Sequence, residues 1–174
     1  MLDNVIRIGG KLTAVLRGVV TWIVILFYGY MAVAVLIQVL GRYVFNYSIG
    51  WASETATFAQ IWMVLLGAGI AMRRNLHVGV DVLAQRLPIP VLRLLTLVIG
   101  AICLWFLWRA VVGSFGMIRI GQIQTSPALG IPMWLPYLSL PIGLTYFAFE
   151  LVLALLGRWR DPRPRIGPAA ETPS

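Results

Sequence analysis

Glu150 is the residue that most invites a chemical reading. It stands in an apolar run, eight residues or about two helical turns before Arg158. A charge at that depth in lipid is costly unless it is paired or reaches water. A carboxylate there could relay protons or bind a cation. It could instead be the structural partner of a basic residue near the same end, such as Arg17, Arg73 or Arg93. A single carboxylate without polar neighbours makes a poor ion path, which favours the structural role. Gln38 and Gln60 also interrupt apolar runs. They suit hydrogen bonds between helices better than the lining of a channel.

Arg42 and Glu54 flank a short segment between two apolar runs. An ion pair closing this hairpin is the expected structure, with contact to a partner outside the membrane as the functional alternative. Tyr43, Phe45, Tyr47 and Trp51 between them read as an aromatic belt at a membrane surface. His77 is the one histidine, and it cannot supply two axial haem ligands. With Asp81 alone beside it, it lacks the ligand set of a zinc site. Cys103 is the one cysteine, so the chain has no internal disulfide and no cysteine-based metal site. Neither a Ser–His nucleophile pair nor a glycine-rich phosphate loop is visible. The chain reads as no enzyme, with no cofactor of its own.

These residues sit in a chain built for lipid. Of 174 residues, 60% are hydrophobic and 11% are charged, against about 25% charged in a soluble domain. Mean hydropathy is +0.87. The net charge of +8 comes almost wholly from arginines set between apolar runs. That placement fits membrane topology signals and gives no nucleic-acid patch. Four runs, at 18–40, 55–72, 91–112 and 134–156, are long enough to cross a hydrocarbon core of about 30 Å. The expected fold is therefore all-α: a polytopic membrane protein with a four-helix transmembrane domain over 18–157. Gly67, Gly69 and Ala71 allow close helix contact in the second run. Trp105, Trp108 and Arg109 suit the end of the third span at an interface. Pro136 falls in the first turn of the fourth, and Pro141 is expected to kink it.

Residues 1–17 alternate Arg7, Lys11 and Arg17 with apolar residues at roughly helical spacing, as an interfacial amphipathic helix would. Residues 158–174, rich in Pro and small residues, read as a disordered tail. Eleven Lys and Arg fall on the side of the termini and three, Arg42, Arg109 and Arg119, on the other. The positive-inside rule then places both termini in the cytoplasm. Gly113 to Met133 is expected to be a long outer connection, shaped by Gly and Pro.

Three segments, in order, carry a family resemblance. The first runs from Gln38 to Asn46 and holds Gly41-Arg42-Tyr43, followed by Gly50-Trp51-Ala52-Ser53-Glu54. The second holds Leu66-Gly67-Ala68-Gly69 and Met72-Arg73-Arg74, then His77-Val78-Gly79-Val80-Asp81 and Arg86-Leu87-Pro88. The third runs from Thr125 to Tyr137, with Pro127, Pro132 and Trp134, and leads to Pro141-Ile142-Gly143. Between Tyr28 and Leu156 the chain resembles the small, DctQ-like membrane subunit of tripartite ATP-independent periplasmic (TRAP) transporters. The family often has two acidic residues after the tryptophan, where this chain has Ser53-Glu54.

The resemblance implies a scaffold in the bacterial inner membrane. Its partners would be the lipid bilayer, a large permease subunit that holds the sodium ions and the substrate, and a periplasmic substrate-binding protein that delivers an organic acid, such as a C4-dicarboxylate or sialic acid. On this reading Trp51, Pro127, Pro132 and Trp134 are candidate docking residues for the binding protein. Arg73, Arg74, His77 and Asp81 form a cytoplasmic motif. The polar inventory agrees, because it is too thin to bind a dicarboxylate and several cations. Two other readings compete. One is a self-sufficient proton-coupled exporter built on Glu150. The other is a membrane anchor of a redox complex.

Overall fold

In lipid every backbone N–H and C=O must be satisfied within the chain, which leaves helices as the economical form for such apolar runs. The computed structural model describes residues 2–47, 49–73 and 88–160. They form α1 (Leu2–Tyr43), α2 (Gly50–Arg73), α3 (Ile89–Gly121), the single turn α4 (Trp134–Tyr137) and α5 (Ser139–Arg160). Four stretches are long and apolar enough to cross a membrane: Gly10–Tyr43, Gly50–Met72, Ile89–Gly121 and Trp134–Gly157. Among the described residues there is no strand, only an isolated bridge between Thr125 and Pro132. Arg74, His77, Asp81 and the tail from residue 161 lie outside the described residues; Arg73 closes α2.

Three boundaries differ from those read in the sequence. α1 runs unbroken through Gly9-Gly10, so the helix that begins at Leu2 continues into the first span, whose apolar stretch starts at Gly10 rather than at residue 18. α3 continues past Val112 to Gly121. Gly113 and Gly116 do not end it, because helix interiors in lipid tolerate glycine when the backbone keeps its own bonds. The Ser114 hydroxyl also stays inside the helix, donating to the Val111 carbonyl at 2.6 Å. Trp105, Trp108 and Arg109 therefore lie within α3, and the outer connection shortens to 122–133. The break near Pro141 falls at Leu138. A proline ring clashes with the carbonyl four residues before it, here Tyr137, where α4 stops. Ser139, fully buried, donates its hydroxyl to the Pro136 carbonyl at 2.6 Å and restores a bond at the break.

The helices stand in a row rather than a closed bundle. α1 packs on α2, α2 on α5, and α5 on α3, while α3 does not pack along α1 or α2. Glycines set the spacing. A Cβ on Gly69 would lie 2.5 Å from the Tyr146 ring, and one on Gly143 would lie 2.5 Å from Leu65 Cβ. A Cβ on Gly100 would likewise meet Leu155 at 2.7 Å. Gly67, by contrast, has open space around it. The core lies where the first, second and last helices meet: Val20, Leu66 and Tyr146, with Ile23, Val24, Trp62 and Ile70 around them. Phe27 and Trp62 stack across α1 and α2 with ring centroids 6.2 Å apart. Of the apolar stretches, α1 buries 6% and α3 buries 11% within the chain, so both edges of the row look outward.

α1 and α5 do not pack along each other, yet a charged contact ties them at one end. The Glu150 side chain is 1% exposed and lies against Arg17 from α1. Arg17 Nε donates to Oε1 at 2.9 Å and Nη2 donates to Oε2 at 2.8 Å. Tyr146 Oη adds a hydrogen bond to Oε1 at 3.2 Å. Of the three arginines the sequence offers, Arg17 is the partner. Arg93 instead lies over the Trp159 ring, 5.5 Å from its centroid, and links α3 to α5. Removing one member of a buried pair leaves an uncompensated charge at a cost of about 3–5 kcal/mol. Arg17→Ala should therefore lower the thermal unfolding midpoint in detergent sharply. Arg17→Ala combined with Glu150→Leu should recover most of the loss; two additive losses would show that no pair is present.

Candidate functional site

The end of the row opposite the termini gathers Arg42, Trp51, Glu54, Pro127, Pro132 and Trp134. The turn from α1 to α2 is tight. Val44 and Phe45 donate to the Leu40 carbonyl at 2.9 and 3.3 Å, and Tyr47 donates to the Gly41 carbonyl at 2.9 Å. Asn46 takes φ +50°, a left-handed conformation that Asn accepts more readily than most residues. Trp51 and Glu54 then fall three residues apart, on one side of the first turns of α2.

The connection 122–133 folds back on itself. Met133 donates to the Gln124 carbonyl at 2.9 Å, Ser126 donates to Ile131 at 2.8 Å, and Gly130 donates to Ser126 at 3.0 Å. Gly130 closes the turn at φ +66°, a conformation that glycine adopts without penalty. The Ser126–Gly130 bond makes one helix-like turn, and the first amides of such a turn have no internal acceptor. Pro127 has no N–H to satisfy. The two amides that remain, Ala128 and Leu129, both donate to Glu54 Oε2 at 3.0 Å. Glu54 thus pins the tip of this connection to the start of α2, where Gly50 also approaches the Ala128 methyl.

The expected Arg42–Glu54 ion pair is not formed. Arg42 is exposed, and among the described residues the ion pair is Arg17–Glu150. Glu54 is drawn to paired backbone amides, whose oriented dipoles suit a carboxylate. No reading of side-chain types could find such a partner. The usable signal was the Pro127 to Gly130 turn, which frees two amides in succession. Of the docking candidates, Trp51, Pro127 and Pro132 are exposed and Trp134 is half-buried. Glu54 brings the first two to the same end of the row. Gln60 is exposed on α2 and Gln38 is half-buried on α1. Among the described residues no group of three or more His, Cys, Asp and Glu could hold a metal ion.

Hydrogen bonds to a charged acceptor contribute about 1.5–3 kcal/mol each. Glu54→Ala should therefore free the loop locally while leaving the helices intact. Hydrogen exchange should then speed at the Ala128 and Leu129 amides by at least tenfold, with the α5 core amides unchanged. Equal exchange in both proteins would count against the pin.

Comparison with known proteins fits this architecture. Residues 31–161 match the family described as tripartite ATP-independent periplasmic transporters, DctQ component. The chain is 29% identical to the C4-dicarboxylate TRAP transporter small permease protein DctQ of Vibrio cholerae, over 75% of this chain and 67% of that protein. It is 36% identical to the protein of the same name from Rhodobacter capsulatus, over 62% of this chain and 48% of the relative. It is also 30% identical to the isethionate TRAP transporter permease protein DctMQ of Oleidesulfovibrio alaskensis, over 63% of this chain and 18% of that much longer protein. The chain thus spans between about half and two thirds of the two small permease proteins. These relatives are transporter permease proteins rather than enzymes. With its four membrane-spanning helices, the chain belongs to the DctQ component family of tripartite ATP-independent periplasmic transporters.

Proposed function

We propose that this chain is the fixed scaffold subunit of a sodium-driven TRAP importer of an organic acid. It supports a large permease subunit in the bacterial inner membrane and helps to dock a periplasmic substrate-binding protein. On this reading both termini face the cytoplasm, which the arginine distribution supports. The Glu54-pinned connection then faces the periplasm, with Trp51 and Pro127 presented beside it.

One observation carries this reading. The structure commits Glu150, the acid deepest in the described spans, to a clamp with Arg17 and Tyr146. Meanwhile every span leaves most of its length uncovered by the rest of the chain. Such a chain is equipped to hold a partner rather than to bind a substrate. The substrate and the sodium ions belong in the large subunit. The DctMQ relative supports a physical association, because the region alike to this chain is part of one longer permease polypeptide there. The exporter reading needs a carboxylate free to take up and release a proton, and Glu150 is engaged by three donors. The redox-anchor reading draws no support from the family.

Reconstitution tests the proposal. Liposomes holding this chain, the large subunit and the binding protein should take up the organic acid in response to an inward sodium gradient. Omitting this chain should reduce uptake at least tenfold, and this chain alone should give none. Uptake by the chain alone would overturn the scaffold role.

A further inference from the structure

The face that α2 turns away from its own chain is unlike the other outward faces of the row. Ser53, Thr57, Gln60, Val64 and Ala68 are all exposed. Their spacing of three or four residues aligns them in one stripe. The outward faces of α1 and α3 are dominated by large apolar side chains, such as Trp22, Leu26, Ile102 and Phe106, with Arg109 exposed farther along α3. The exposed face of α5 carries Ile142, Phe149 and Val152. On α2, beyond Trp51 in the first turn, Val64 is the one large apolar side chain among the described residues that is exposed. The rest of the stripe is small or polar.

Gln60 decides what that stripe is for. It lies ten residues from Gly50 and thirteen from Arg73, near the middle of α2. The Thr57 hydroxyl is satisfied inside the helix, donating to the Ser53 carbonyl at 3.0 Å. The Gln60 amide has two donor hydrogens and an acceptor oxygen, and no hydrogen bond to any described residue is formed. Acyl chains offer neither donor nor acceptor, so a polar group at that depth seeks one from another helix. Small residues on the same stripe let a second backbone come close.

We propose that this α2 stripe is the seat of a transmembrane helix of the large permease subunit, which hydrogen-bonds Gln60 and packs against Ala68. The proposal rests on the scaffold reading and adds the face through which the scaffold is joined. The occupant must be apolar enough to reside in the membrane and must bring a hydrogen-bonding group to the depth of Gln60. A permease helix fits both demands, and the longer DctMQ relative carries the matching region and the rest of a permease in one chain.

The test uses the full chain expressed with its large subunit. A photo-crosslinking residue is placed at Thr57 or Val64 on the stripe, and at Ile102 or Val152 as controls on other faces. Adducts of this chain with the large subunit should form at the stripe positions at least tenfold above the controls. Gln60→Leu should reduce the large subunit recovered with this chain by about 3- to 30-fold, the range set by one interhelical hydrogen bond. The thermal midpoint of the chain alone should not fall, because no internal bond is lost. Adducts joining two copies of this chain would overturn the proposal, as would adducts confined to the control faces or a stripe that labels only lipid. Should the unmodified chain fail to recover the large subunit at all, the scaffold reading itself falls, rather than the choice of face.

Discussion

A buried carboxylate in an apolar helix is tolerable only if its charge is met in full, and Arg17 meets Glu150 with two donors while Tyr146 supplies a third. The rest of the arrangement follows from that demand. The guanidinium comes from α1 and the carboxylate from α5, two helices that share no long interface. Holding them together at one end leaves a groove that α2 fills. Gly69 lets α2 sit against the Tyr146 ring, and Leu66 closes the core beside it. Charge satisfaction thus sets which helix lies between which.

The opposite end obeys the same rule with different groups. There the unpaired groups are backbone amides of a tight turn, and the charge that meets them is Glu54. Between the two ends the threonine hydroxyls at positions 21, 57 and 96 donate to carbonyls four residues earlier and so stay within their own helices. Little polarity remains in the spans beyond Gln38, Gln60 and Arg109, and of these Gln60 and Arg109 are exposed. A row of helices sealed internally in this way has its remaining chemistry on its surfaces.

The four spans were legible in the sequence because apolar length alone decides what crosses a bilayer. The proline break was legible to within a few residues, since a missing N–H acts at a known offset. The pairing of Glu150 could be narrowed to three arginines, but choosing among them required the depth and rotation of each helix. The end of α3 is not legible, because glycines and an arginine that would mark a boundary in water do not end a helix in lipid. By side-chain charge alone Glu54 pairs with Arg42, since both flank one hairpin. Its actual acceptor role depends on a turn more than seventy residues away, built by backbone groups that have no side-chain signature.

The two edges of the row are also its longest members. Gly10–Tyr43 has 34 residues and Ile89–Gly121 has 33, against 23 for Gly50–Met72. At about 1.5 Å per residue the edge helices reach about 50 Å, while a hydrocarbon core is about 30 Å thick. A helix with that excess leans, or extends beyond the acyl region, or thickens the bilayer around it. The mismatch is concentrated at the flanks, and the shorter α2 lies between α1 and α5. Leaning, or projection beyond the acyl region, is therefore concentrated in the flanks, while the short α2 comes closer to the hydrocarbon thickness.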